Sequence, residues 1–441
     1  MNTNKGRGVL IAAAIVALLA LGAYFFKIKI GPLHFPQRQD TSDIPNSNQT
    51  ATEKNPSNDP IIGQLSIPDG FVMTPYAKNV KDARVMVFDP KGRMLVSETS
   101  EGRIVTLEDA NEDGVTDSVK TLISGLNKPH GMAFLCNTSG AAADSCLLFI
   151  VQSSRLVSYD YDPSTGTATN VKKLIDIPST ATDRHFTRTL QLLPDNNTLL
   201  ISIGSSCDVC VETDAMRGRI MAYTISTGKV SEYARGLRNS VFMTLDSNGR
   251  VFATEMGRDS LGDELPPDEI NIIEPGKDYG WPNCYSQNVH DDVFDKKTYI
   301  RNPCMEPFET PSFIDLQAHS APLGLQFIPD AWKGGSGGIV DPALRGAASL
   351  VAPLANGDLL VAYHGSWNRS TPTGYKIVRI SFDANGAYSS VNDFISGWLT
   401  ADGKKLGRPA GLAFGPIAGT DKQALYISDD DTGTIYKVVK E

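Results

Sequence analysis

The chain has 441 residues, 41% hydrophobic and 21% charged, a balance that suits a globular protein with a sizeable core. Its formal net charge is −9, and no run of lysine and arginine forms a basic patch, which argues against a nucleic-acid partner. Against that anionic background, local clusters of arginine become informative.

The chain opens with Lys5 and Arg7, then an unbroken apolar stretch from Gly8 to Phe26, then Lys27 and Lys29. A helix crossing ~30 Å of hydrocarbon needs roughly 20 such residues, so residues 1–30 are expected to form an N-terminal transmembrane helix. A cleaved signal peptide is the alternative, with Ala20-Leu21-Gly22 as its site, although Tyr24-Phe25-Phe26 carries the apolar run past it. Either reading exports the remainder, to the periplasmic or extracytoplasmic side of the cell membrane. Residues 31–60 are mostly Pro, Asn, Ser, Thr and Gln with little to bury, the composition of a flexible tether. The domain proper is then residues 61–441.

Six cysteines fall at local spacings, and proximity suggests the pairs Cys136–Cys146, Cys207–Cys210 and Cys284–Cys304. A zinc site built from four of them is the alternative. Cys207-Asp208-Val209-Cys210 is followed by Val211, so the c-type haem signature is absent.

Beyond the tether a two-strand phrase recurs: an apolar alternation, a turn, then a second alternating strand. Its six copies begin at Val85, Gly131, Thr189, Phe242, Gly324 and Gly411. Period-2 alternation bounded by turn residues means strands, and recurrence at roughly 50 residues is the spacing of propeller blades. The expected fold is all-β, a six-bladed β-propeller preceded by the transmembrane helix and the tether; a β-sandwich or two β domains is the alternative.

In a propeller the starts of the innermost strands converge on the channel. Aligning the phrases puts Arg84, His130 and Arg188 at one position of the first three copies, with Arg238 three residues ahead of it in the fourth and Arg408 two ahead in the sixth. His185 and His319 precede the third and fifth copies. A single arginine there more often caps a blade, but a ring from five of six blades suggests a flat or polycarboxylate anion, which the guanidinium fork matches. His130 is the best general base in the ring, because imidazole titrates near neutrality.

Two stretches carry metal-ligand chemistry. Asp109, Asn111, Asp113 and Asp117 stand at calcium-loop spacing around Gly114, although the twelfth position is Lys120; a turn capped by its own side chains is the alternative. Glu255-Met256-Gly257-Arg258-Asp259, followed by Asp263, Glu264, Asp268 and Glu269, concentrates acids that need a cation or arginines to neutralise them.

From about Leu65 to Lys437 the chain resembles the glucose/sorbosone dehydrogenase family, the soluble sugar dehydrogenases dependent on pyrroloquinoline quinone (PQQ). The stretches that carry the resemblance are Asn127-Lys128-Pro129-His130-Gly131, Tyr233-Ala234-Arg235-Gly236-Leu237-Arg238-Asn239, Asp268-Glu269-Ile270-Asn271, Tyr279-Gly280-Trp281-Pro282, His364-Gly365-Ser366-Trp367-Asn368-Arg369 and Gly407-Arg408-Pro409. Cys207-x-x-Cys210 and the His364–Arg369 phrase look closest to the sorbosone dehydrogenase branch. The resemblance implies that PQQ lies over the channel mouth with a calcium ion against its quinone. His130 then matches the base that takes the hydroxyl proton, Arg238 the arginine that polarises the quinone and Asn239 its neighbour. Arg408 matches a grip on a PQQ carboxylate, and Gly257 and Arg258 match the pair whose carbonyls hold calcium. Two departures stand out. Met256-Gly257-Arg258 replaces a Gln-Gly-Pro-like run, and a carboxylate-binding lysine has no match, leaving Arg369 or His364 as its replacement. Arg84 and Arg188 are further candidates to bind PQQ carboxylates. The implied reaction is oxidation of a sugar or polyol, with an external quinone or redox protein taking the electrons. A carbohydrate- or protein-binding propeller without catalysis is the alternative, and a calcium-dependent lactonase is another.

Overall fold

The computed structural model describes residues 59–136, 145–180, 184–332, 357–383 and 385–441. Six four-stranded antiparallel sheets span 83–123, 132–176, 188–235, 243–316, 322–395 and, for the last, 409–440 together with 71–77. These are blades 1 to 6 of a propeller. Their first strands touch one another in succession around the centre, blade 6 against blade 1 included.

Alternation along the second strands explains why they read as almost wholly apolar. In blade 3, Leu199 and Ile201 join a core shared with blade 2, while Leu200 between them joins a core shared with blade 4. Leu359 and Val361 in blade 5 face blade 4, and Leu360 and Ala362 face blade 6. Successive side chains of a strand point to opposite faces, and here both faces are covered by neighbouring blades. Six hydrophobic clusters result, one at each blade junction. Truncating one such buried leucine to alanine costs about 2–5 kcal/mol.

The outermost strands are different. Thr167–Asp176 is largely exposed along its length, with no alternation of burial. Strands of this kind carry no apolar pattern, which is why the repeat shows only two strands per copy in the sequence.

The glycines that open the repeated phrases have a packing cause. A Cβ on Gly131 would stand 2.5 Å from the backbone nitrogen of Leu190, and one on Gly324 2.6 Å from that of Leu412. The innermost strands crowd where they converge, and only glycine admits the neighbouring backbone.

Ring closure was not legible in the repeat. Phe71–Ala77, upstream of blade 1, is the outermost strand of blade 6 and runs antiparallel to Thr434–Lys440, with Phe71 opposite Lys440. The two ends of the domain thus share one sheet, and no blade is left with an open side.

All six cysteines are paired as their spacing suggested, leaving no thiolate set for zinc. The expected membrane helix of residues 1–30 and nearly all of the tether lie outside the described residues. Among the described residues no helix is long and apolar enough to cross a membrane.

Candidate active site at the channel mouth

Strand direction determines which loops meet. Ala83 lies opposite Glu98 and Phe88 opposite Met94, so the segment entering an innermost strand shares a face with the turn that links second and third strands. At this face the entering segments bring Arg84, His130, Arg238, His319 and Arg408. The second-to-third turns bring Asp208, Asp259, Asn368 and Asp430 from blades 3, 4, 5 and 6. Each entering segment is held by the turn of the blade before it. Arg84 pairs with Asp430, Arg238 with Asp208, and His319 with carbonyls of Gly262 and Leu265.

His130 is completely buried, and its Nδ1 lies 3.0 Å from the carbonyl oxygen of Arg188. A carbonyl only accepts, so Nδ1 carries the hydrogen and Nε2 carries the lone pair. That Nε2 finds no hydrogen-bond partner among the described residues. Burial, then the nearby charge of Arg84, push the imidazole pKa down to about 3, against the opposing bond to Arg188. The ring is therefore neutral at ordinary pH, with a bare acceptor at the mouth of the channel.

The arginines do not form one equivalent ring. Arg84 Nε stands 2.7 Å from Asp430, whose other oxygen lies 2.8 Å from His364 Nε2. Burial raises the Asp430 pKa, but Arg84 and His364 outweigh it and hold the carboxyl at about 2. Arg238 donates from Nε to the Asp208 carbonyl at 2.9 Å, from Nη2 to the Asp208 carboxylate at 2.7 Å, and from Nη1 to the Met256 carbonyl at 3.2 Å. Its neighbour Asn239 is fixed by its backbone N–H on Glu255 at 2.7 Å and reaches Met256 Sδ with its amide. Arg408 rests on the carbonyls of His364 and Gly365 and on the Tyr375 hydroxyl, and no described carboxylate pairs with its side chain. Of the expected anion-binding arginines at the mouth, Arg408 is the one whose side chain bonds no described carboxylate, with Asp430 acting on it through space.

Two of the expected carboxylate-binding arginines, Arg188 of the ring and Arg369 in place of the missing lysine, are engaged elsewhere. Arg188 is completely buried, its guanidinium spent on carbonyls of His185, Thr187 and Pro178, so it braces the segment before blade 3 instead of facing the channel. Arg369 closes the 256–267 turn, bonding the carbonyls of Asp263 and Ala318 and pairing with Glu264. The charge of Arg188 is buried away from the channel, and that of Arg369 is paired with Glu264.

The two metal stretches also part company. The Asp109–Asp117 loop joins the third and fourth strands of blade 1, at the face opposite the mouth. Its side chains cap its own turn: Asp109 accepts from the backbone of Asp113 and Gly114, and Asp117 from Ala110 and Asn111. The cation set against it is Lys437, which donates to the Gly114 carbonyl. Asn111 Nδ2 also meets Asp113 at 3.1 Å and Asp117 at 2.9 Å, so the side chains of the expected calcium set of Asp109, Asn111, Asp113 and Asp117 are engaged in capping their own turn. Among the described residues the one metal-like cluster, Cys207, Cys210 and Glu212, has its sulfurs in a disulfide.

Gly257 and Arg258 do lie at the mouth, beside Arg238. Their carbonyl oxygens accept no hydrogen bond from any described residue. Gly257 N–H donates to buried Asp268, and Arg258 pairs with Asp291 at 2.7 Å. The acids of the second stretch are neutralised by arginines and by burial. Asp259 sits near Arg184 and Arg238, while burial raises Glu255 to about 7, Asp268 to about 6 and Glu269 to about 8.

Sequence reasoning missed Asp208 and Asp430, and counted Asp259 only among acids that need a cation or arginines. Each follows the end of a second strand by one to five residues, a position the repeat could have flagged once the third strands were recognised.

Residues 65–441 match the family model described as TrAA12-like. The chain belongs to that family. Among curated relatives, a pyrroloquinoline quinone-dependent pyranose dehydrogenase from Coprinopsis cinerea is 26% identical over 85% of this chain and 54% of its own length. The chain thus spans about half of that relative. Among solved structures, the holo form of the pyranose dehydrogenase PQQ domain from Coprinopsis cinerea superposes with a TM-score of 0.65 at 22% identity, covering 85% of this chain and 97% of that one. A calcium structure of a Trichoderma reesei family AA12 enzyme superposes at 0.67 and 21% identity, covering 86% and 97%. These likenesses corroborate the six-bladed fold of the family member described here.

Proposed function

We propose that this protein is a PQQ-dependent dehydrogenase oxidising a hydroxyl of a sugar, an aldose or a related sugar of the sorbosone type. The observation that carries the reading is the buried, unpartnered Nε2 of His130, a proton acceptor set at the channel mouth among guanidinium groups. Family membership and the named activity of the Coprinopsis cinerea relative support it. The sorbosone assignment rests on Cys207-x-x-Cys210 and the His364–Arg369 phrase.

The residues present fit PQQ. Arg408 would hold a carboxylate, with Arg84 and Arg238 as neighbouring donors, and the carbonyls of Gly257 and Arg258 would hold calcium. Bound PQQ supplies the two-electron acceptor for the hydride of the substrate C–H bond. His130 takes the hydroxyl proton at Nε2, while the Arg188 carbonyl holds the Nδ1 hydrogen in place. Its low pKa in the open channel reflects burial and Arg84; an anion set against Arg84 raises it toward the range a base needs.

The apolar run Gly8–Phe26 and the three disulfides support a membrane-anchored domain on the extracytoplasmic side, passing electrons to an external quinone or redox protein. The test is dye reduction by the purified domain across aldoses and polyols, with and without PQQ and calcium, beside His130→Ala. Turnover that needs PQQ and disappears in the variant is expected; a protein that fails to bind PQQ refutes the reading. Cell fractionation with intact and truncated N-termini tests the anchor, and a soluble full-length chain refutes it.

A further inference from the structure

Arg238 is gripped twice by one residue. Its Nε donates to the backbone carbonyl of Asp208 at 2.9 Å and its Nη2 to the Asp208 carboxylate at 2.7 Å. Two contacts to the main chain and side chain of one residue orient a guanidinium only if that residue's own backbone is held. Asp208 lies inside the four-residue loop closed by the Cys207–Cys210 disulfide, which supplies that restraint. The loop is pinned outside the disulfide as well. Ser205 Oγ donates to the Cys207 carbonyl at 2.6 Å and meets His185 Nδ1 at 2.9 Å, and Glu212 receives the N–H and hydroxyl of Ser206.

Asp208 also gathers the rest of this sector. The same carboxylate oxygen accepts the backbone N–H of Asp259 at 2.9 Å, and its carbonyl accepts the indole N–H of Trp281 at 3.3 Å. Asp259 itself stands 3.7 Å from Arg238 Nη2, beyond hydrogen-bond range, so it shares charge without setting direction. We infer that Asp208, braced by the Cys207–Cys210 disulfide, is the positioning residue that aims Arg238 at the channel mouth. The inference rests on the dehydrogenase reading for what Arg238 does there, but not for how it is held. It also assigns a use to the Cys-x-x-Cys segment, whose sulfurs are joined in a disulfide. Arg238 is a donor of fixed direction whose charge is already balanced by Asp208, whereas the Arg408 side chain bonds no described carboxylate.

The experiment compares wild type with Asp208→Ala, Asp208→Asn and the pair Cys207→Ser/Cys210→Ser, in the full domain. First, phenylglyoxal labelling of the cofactor-free proteins, located by peptide mass spectrometry, reports how tightly Arg238 is held. Arg238 is 5% exposed in its clamp, so labelling should rise at least tenfold in Asp208→Ala and in the cysteine pair, and stay near wild type in Asp208→Asn, which keeps both acceptors. Second, PQQ titration followed by the absorption of the bound quinone, with kcat and KM at saturating PQQ, reports the consequence. Asp208→Ala and the cysteine pair should shift that absorption and lower kcat by about 100-fold with KM little changed, the scale of an ångström-level misplacement. Asp208→Asn should restore kcat to near wild type. Unchanged Arg238 labelling in both loosened variants overturns the inference, whatever PQQ does. Should Asp208→Ala fail to fold, the cysteine pair decides alone: wild-type labelling and kcat there overturn it. A wild-type protein that does not bind PQQ refutes the dehydrogenase reading instead, and the labelling still decides whether Asp208 holds Arg238.

Discussion

His130 can be tested by acid before any cofactor is added. Its imidazole titrates ordinarily at 6.5 and is pushed down to about 3 in the fold, by burial first and Arg84 next. Between those values the unfolded chain binds a proton that the native chain refuses, so the unfolded state gains as pH falls. The stability carried by the neutral ring is complete above pH 6.5 and is lost progressively toward pH 3. One unit of pH in that window is worth about 1.4 kcal/mol, so acidifying from pH 7 to pH 4.5 removes about 2–3 kcal/mol through this residue. His185, whose pKa burial and Arg238 also push down to about 3, titrates alongside it but is present in any His130 variant and cancels from the comparison. The assay is urea unfolding of the cofactor-free domain, followed by circular dichroism at pH 7 and pH 4.5, for wild type and His130→Asn. Wild type should lose about 2–3 kcal/mol more than the variant on acidification. Adding Arg84→Met removes the second cause and should narrow that gap. Equal losses in wild type and His130→Asn would show that the ring is hydrated or already charged, and the argument for a bare Nε2 would fail.

Arg408→Met should weaken PQQ binding by roughly 10- to 100-fold in an absorption titration, the scale of one lost charge-assisted contact; affinity within twofold of wild type refutes its role. Arg188→Met should leave the affinity of the folded protein unchanged but cost about 2 kcal/mol or more in urea unfolding, because the His185 and Thr187 carbonyls lose a donor while Pro178 keeps only Arg217. Gly257→Ala drives a Cβ to 2.7 Å from Pro266 Cγ and 2.8 Å from the Pro267 carbonyl, so calcium-dependent PQQ binding should weaken at least tenfold; an unaltered calcium titration places the ion elsewhere. Cys284→Ser/Cys304→Ser opens a link of 20 residues in the blade 4 insertion and should cost about 3 kcal/mol of urea stability, with PQQ affinity retained.

The fold was legible because a propeller writes its core into strict alternation. Leu199-Leu200-Ile201 is apolar at every position, since consecutive side chains serve two different blade junctions, and the glycines that open the phrases record strand crowding. What escaped is what carries no such pattern. Thr167–Asp176 is polar because it faces water, and Phe71–Ala77 completes a blade whose other strands lie at the opposite end of the chain. At the site, His130, Arg84, Arg238 and Arg408 were visible by aligning innermost strands, which fixes position but not side-chain direction. Arg188 shares that alignment and yet turns onto carbonyls, because its neighbours His185, Thr187 and Pro178 present them. Asp208 and Asp430 come from turns of variable length, and no periodicity marks them. The Asp109 loop shows a ligand-like spacing satisfied by its own backbone, a distinction only geometry makes.

The pairing of Phe71–Ala77 with Thr434–Lys440 has a consequence for how the molecule is made. A ribosome releasing roughly 5–20 residues per second needs on the order of half a minute between the two halves of that sheet. Throughout that interval the first strand has no hydrogen-bonded partner, and blade 1 lacks the neighbour that covers Met86, Met94 and Val96 on one side. Early blades can stack as they emerge, but the circle becomes continuous only when the last strand arrives. A nascent propeller is therefore an open arc with two sticky ends, and chaperone demand should fall on those ends: on the waiting N-terminal strand and on the uncovered flank of blade 1.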